Sequence, residues 1–184
     1  EKIIIGLSGP FGSGCSYVAK EILAQQGYEY ISLSELLRSE IADDSLLRSE
    51  MQDKGNEIRT QKGARYLAQL AIDYINGSEK DKFVVDSIRN THEVEALKEA
   101  FSSFYLFAVW ANKNVRWDRV KDKYNKNQAA FEDDDRRDKD EKDENGQQIT
   151  LCFQMADIIV LNETKIHTKE SEHFNNLKSF IGRY

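Results

Sequence analysis

Residues 9 to 16 read Gly-Pro-Phe-Gly-Ser-Gly-Cys-Ser, directly after the apolar run Ile3-Ile4-Ile5-Gly6-Leu7. This fits the phosphate-binding pattern G-x-x-x-x-G-K-[ST] at every fixed position but one, because Cys15 stands where the Lys belongs. The glycines let backbone N–H groups converge on phosphate oxygens, and the helix that follows adds partial positive charge at its N-terminus. Gly9, Gly12, Ser13, Gly14, Cys15 and Ser16 are therefore the candidate nucleotide-phosphate residues, and the Ser16 hydroxyl is a candidate Mg2+ ligand. The structural alternative is a glycine-rich strand–helix turn that only packs. Two other loops are excluded by spacing. A dinucleotide fingerprint starting at Gly12 would need glycine where Tyr17 stands, and a cysteine phosphatase loop starting at Cys15 would need arginine where Glu21 stands.

The second candidate is Phe83-Val84-Val85-Asp86, an apolar strand delivering a carboxylate toward Mg2+. Asp86 is thus a candidate metal ligand and catalytic residue. Arg89, three residues on, suits an anionic ligand at the same crevice, or a salt bridge with Glu93. Arg59 and Arg116 are further candidates for substrate contacts, and Arg116 with Arg119 has the spacing of a lid base. Phosphoryl transfer depends mainly on positioning and charge stabilisation, so losing the Lys lowers turnover steeply unless another cation substitutes. Arg136 and Arg137, on a charged segment able to fold over as a lid, are candidates for that role, as is Lys20. Cys15 at a helix N-terminus invites a lowered thiol pKa, although a small neutral filler is the plainer reading. The three histidines have no common metal spacing.

These residues need a frame that brings strand ends together. Short apolar runs alternate with helical patterns throughout: strands in the apolar run ahead of the glycine turn and at 28–32, 82–86, 104–110 and 157–161, with a single long helix expected over 58–75 and a terminal helix facing inward through Phe174, Leu177 and Ile181. Such alternation implies right-handed crossovers and a parallel sheet, whose ligands bind beyond the carboxyl ends of the strands. At 184 residues the chain suits one domain. Residues 125–146 are its lid-like charged segment. Glu132–Glu144 holds nine acids against four bases, and so five of the six net negative charges of the chain. It reads as a solvated loop or exposed helix. The near-neutral remainder argues against general nucleic-acid binding. Two distant cysteines, no apolar run of membrane length and no signal pattern place the expectation in the cytoplasm.

Three stretches resemble the N-terminal kinase-like domain of two-domain bacterial anti-phage dCTP/dCMP deaminases: Gly9–Ser16; Gly55-Asn56-Glu57-Ile58-Arg59 leading to Tyr66-Leu67-Ala68; and Val85-Asp86-Ser87-Ile88-Arg89-Asn90 with Glu93–Leu97. A fourth, Asp134–Asp138 before Gly146-Gln147-Gln148-Ile149, extends the resemblance over nearly the whole chain. Nucleoside-monophosphate kinases and dephospho-coenzyme-A kinases are the near neighbours. The resemblance implies a three-layer α/β P-loop NTPase fold with a central parallel sheet of about five strands. It also implies that the zinc deaminase domain is absent from this chain, since the only proline is Pro10 and no P-C-x-x-C occurs. Three functions are then open. The first is a nucleotide-binding regulatory domain with a degenerate Walker A loop, taking a nucleoside tri- or monophosphate with Mg2+ and signalling to an attached deaminase. The second is an active nucleotide kinase. The third is a vestigial loop on a domain that assembles homo-oligomers or captures a partner.

Overall fold

The computed structural model describes residues 1–41, 46–139, 142–163 and 175–183. Five apolar runs become strands: β1 (Ile3–Ser8), β2 (Glu29–Ser32), β3 (Lys82–Ile88), β4 (Phe104–Trp110) and β5 (Ile158–Leu161). They form one sheet in the order β2-β3-β1-β4-β5, every adjacent pair parallel. β4 is wholly apolar, and β1 and β3 carry unbroken apolar stretches, Ile3 to Leu7 and Phe83 to Val85, because helices cover both faces of the sheet. Side-chain alternation sorts the runs between two cores. Ile4, Phe83, Val85, Phe104 and Leu106 pack with α4 (Tyr66–Gly77), α5 (Thr91–Ala100) and Cys152 of α8 (Ile149–Gln154). Ile5, Leu7, Val84, Phe107, Val109 and Val160 face Val18, Ala19 and Leu23 together with Leu177 and Phe180 of α9 (Asn175–Ile181). The result is the expected three-layer α/β architecture. Phe174 lies outside the described residues.

The helix after the glycine loop starts as α1 (Cys15–Tyr17), continues with π spacing over Val18–Leu23 and closes in a 3-10 turn at Ala24–Gln26. α2 spans Leu33–Ile41, directly after β2. Ser32 does the capping, its hydroxyl accepting from the Glu35 N–H at 3.3 Å.

Two sequence expectations are corrected. The single helix over 58–75 is two, α3 (Arg48–Lys62) and α4, separated at Gly63. Gly63 has φ +100° and ψ 148°, a conformation open essentially to glycine alone, so the apolar periodicity runs on while the axis turns. The charged segment also departs from the solvated reading. α6 (Lys113–Val120) passes through a 3-10 turn at Lys121–Tyr124 and the left-handed pair Asn125 and Lys126 into α7 (Gln128–Arg137). Asp134, Asp135 and Asp138 are then buried, not solvated. Each meets a donor from a different element: Tyr124 Oη to Asp134 at 2.9 Å, Arg116 Nη1 to Asp135 at 2.6 Å, and Gln52 Nε2 to Asp138 at 2.6 Å. Buried carboxylates persist only when paired or hydrogen-bonded, which is what turns this stretch of like charges into a docking surface.

Candidate functional site

The loop is built by a turn and held by side chains from other elements. The Ser13 N–H bonds to the Pro10 carbonyl at 3.0 Å, while Gly12 and Gly14 take φ +83° and +99°. A Cβ on Gly12 would lie 3.0 Å from the Arg116 carbonyl oxygen, so glycine is required there for both space and conformation. Arg116, 1 % exposed, donates to the carbonyls of Phe11 and Ala111 at 3.1 Å each and to Asp135. Arg119 donates to the Gly12 and Ser13 carbonyls at 3.1 and 3.3 Å and to Asn162 at 2.7 Å. The buried Asn162 amide, just beyond β5, gives a second bond to the Ser13 carbonyl at 2.8 Å. Three consecutive loop carbonyls are thus occupied by α6 and the end of β5. A cavity of about 220 Å³ opens over Gly9–Tyr17, walled also by Asp86, Ser87, Arg89, Arg119 and Lys123.

At the base of this cavity the Ser16 hydroxyl donates to Asp86 Oδ2 at 2.7 Å. β3 brings Asp86 there through a register shift against β1 between Gly6 and Ser8, with Ser87 at φ +67°. The Ser87 N–H bonds Asp86 Oδ1 at 2.6 Å, and Tyr30 Oη donates to Oδ2 at 3.3 Å. Burial of Asp86 pushes its carboxyl above the usual range; the Ser16 hydroxyl, the Ser87 N–H and the Arg89 charge oppose that shift without cancelling it. A hydroxyl and a desolvated carboxylate side by side are hard oxygen donors of the kind Mg2+ takes alongside phosphate oxygens. Among the described residues no cluster of three or more His, Cys, Asp or Glu side chains forms a separate metal site.

The half-buried Cys15 does not have the activated thiol that its helix N-terminus invites. Burial and the Asp86 charge push it up to about 12, and its sulfur lies 3.5 Å from Ser13 Oγ. It is a neutral group at neutral pH. The other candidates separate by place. Arg89 borders the loop cavity, its main chain pinned by Glu93 Oε2 at 2.9 Å and by the Gln148 N–H at 2.7 Å. Its guanidinium lies 3.6 Å from Asp138, not on Glu93, and Arg48 shares that carboxylate. Glu93 instead pairs with Arg59 at 2.8 Å, both buried. Arg59 and Arg116 are therefore consumed by structural ion pairs and are not presented to the loop cavity. Lys20 is turned away to Glu35 and the Tyr30 ring. Arg136 and Arg137 border a second, adjoining cavity of about 850 Å³, where they pair with Asp133 and Asp53. Phe11, Ser16, Ser87, Arg89 and Lys123 line both spaces. Sequence reading did not single out Asn162, Arg48 or Lys123. An Asn just past an apolar strand was a usable signal for the first; nothing local marked the other two.

The sequence profile of the AAA domain family, AAA_17, matches residues 8–143, from the end of β1 through the charged segment. The chain belongs to the AAA domain family. It is a P-loop kinase-like nucleotide-binding domain. A UPF0200 protein of Methanothermobacter thermautotrophicus is 26% identical over 172 residues, covering 89% of this chain and 80% of that protein. A UPF0200 protein of Pyrobaculum aerophilum is 30% identical over 117 residues, 64% of each chain. Among solved structures, an uncharacterized protein from Eubacterium ventriosum superposes with TM-score 0.64 at 18% identity, covering all of both chains. Shikimate kinase from Acinetobacter baumannii, solved with shikimate, gives 0.57 at 14%, covering 99% of this chain and 92% of that one. At such identities these structures speak to the shared fold. No described helix is long and apolar enough to cross a membrane.

Proposed function

We propose that this AAA-family domain binds the phosphates of a nucleoside tri- or monophosphate on Gly9–Ser16, that Ser16 and Asp86 are the residues that would hold the accompanying Mg2+, and that it works as a sensor of that nucleotide. The observation that carries the reading is the Ser16–Asp86 bond of 2.7 Å at the floor of the 220 Å³ cavity, beside a position 15 that offers a neutral thiol. The two oxygen groups that would hold the metal already lie side by side, whereas position 15 offers the phosphates no cation. Mg2+, when bound, supplies Lewis-acid charge to the phosphates; the chain's residues orient the phosphate chain and exclude water. The attached partner in this reading is the zinc deaminase domain that the sequence resemblance implies.

Isothermal calorimetry with a panel of ribo- and deoxyribonucleotides, with and without Mg2+, tests it. Binding at micromolar to sub-millimolar levels that strengthens with Mg2+ is expected; no heat at millimolar ligand would overturn the proposal. The adjoining 850 Å³ cavity favours a second reading, phosphate transfer to an acceptor seated there. Under that reading ATP turnover requires the acceptor and is lost in Asp86→Asn, with Arg89 holding the acceptor's anionic group.

A further inference from the structure

Three cations wall the cavity over the glycine loop, and they are not equivalent. Arg119 is committed to the Gly12 and Ser13 carbonyls and to Asn162. Arg89 leans on Asp138, and burial lowers its own pKa, the nearby Arg48 charge adding to the effect. Lys123 differs from both. Its ammonium rests 5.5 Å from the centroid of the Phe11 ring and makes no hydrogen bond or ion pair with any of the described residues. Like Arg89, it lines both cavities, and so borders the way from the loop to the larger space.

We propose that Lys123, from the wall of the cavity, supplies the ammonium that position 15 lacks, contacting the terminal phosphates of a nucleotide held on Gly9–Ser16. The proposal rests on the nucleotide-binding reading and names the residue that completes it. Lys123 belongs to the turn directly after α6, whose Arg116 and Arg119 already clamp the loop's carbonyls. Its root is therefore placed relative to the loop by the same helix. Asn125 and Lys126, at φ +49° and +61°, reverse the chain immediately afterwards and fix the direction of the turn. An ammonium on a four-carbon stem acts as a mobile point charge, and a charge-assisted bond to phosphate is stronger than an exposed contact with an aromatic face. An arriving phosphate would draw Lys123 off Phe11.

Lys123→Met keeps the stem against Phe11 and removes only the charge. With Mg2+–ATP and Mg2+–dCTP as probes, and inorganic tripolyphosphate as a base-free one, this variant is expected to bind about tenfold or more weakly. Adding Cys15→Lys in the same protein should restore affinity, because either ammonium neutralises the same phosphates. Thermal unfolding of each variant checks that the fold is kept. Wild-type affinity in Lys123→Met overturns the proposal, as does a loss that Cys15→Lys leaves uncorrected in a folded protein. A wild-type protein that binds none of the probes overturns the nucleotide reading itself and this inference with it.

Discussion

Asp86 is held under two opposed demands. Its carboxylate is 1 % exposed, yet three donors converge on it, from Ser16, Ser87 and Tyr30. Burial wins and its folded pKa lies above the unfolded one. For a carboxyl raised in this way, the favourable contribution to folding is complete below the unfolded pKa and disappears as pH rises through the folded value. At neutral pH Asp86 therefore costs stability, and an arriving cation relieves that cost. Asp86→Asn is accordingly expected to leave the urea midpoint unchanged or raise it, while the Mg2+ enhancement of nucleotide binding vanishes. Retained enhancement in a calorimetric titration would remove Asp86 from the metal site. In the wild type, that enhancement should fade on acidification at a higher pH than an ordinary aspartate, with its reference value of 3.8, would show.

The acidic helix α7 shows how one element acts through charge rather than apolar area. Asp138, fully buried, accepts from Arg48 and Gln52 and faces Arg89, tying α3 and the end of β3 to the segment after α7. Burial alone would raise its carboxyl, but Arg48 and then Arg89 more than offset this and hold it below the usual range. Here the sign is the reverse of Asp86: the contribution is present above the unfolded pKa and lost as pH falls through the depressed folded value. Removing one member of a buried charge cluster leaves the others unpaired, so Asp138→Ala should destabilise the domain by about 3–5 kcal/mol at neutral pH. The gap between variant and wild type should narrow as pH drops below 3.8, where unfolded aspartate takes up its proton. Urea unfolding at both pH values measures this, and a neutral-pH difference under about 1 kcal/mol would show that the cluster is not what docks α7.

At the scale of the whole molecule, β1 lies at the centre of the sheet, between β3 and β4. The loop after β1, the carboxylate of β3, the clamp from α6 beyond β4 and Asn162 beyond β5 consequently meet at one end. A nucleotide bridging these elements stabilises only the folded state. At a hundredfold excess over Kd that linkage is worth about 2.7 kcal/mol, which for a domain of this size corresponds to a rise in Tm of roughly 5–10 °C. Mg2+ without nucleotide should give little shift. A melting curve indifferent to saturating Mg2+–nucleotide would detach ligand binding from the assembled crevice.

Local chemistry in the sequence was enough to identify the strands and the glycine loop and to single out Ser16 and Asp86, which the fold sets 2.7 Å apart, because each rests on short-range rules: apolar runs covered on both faces, φ > 0 at glycine, and a carboxylate at a strand end. The parallel sheet followed from the alternation of strand and helix patterns. The break at Gly63 was not legible, since the apolar stripe continues across it and only the backbone angle of one residue turns the axis. Nor were the fates of the arginines. Arg59, Arg89, Arg116, Arg136 and Arg137 look alike in sequence, and each is assigned to a ligand cavity or to a structural pair by whichever carboxylate the packing sets beside it. Charge interactions are long-ranged and indifferent to sequence separation, so only the tertiary structure decided which cations were consumed in holding the loop and left Lys123 facing it.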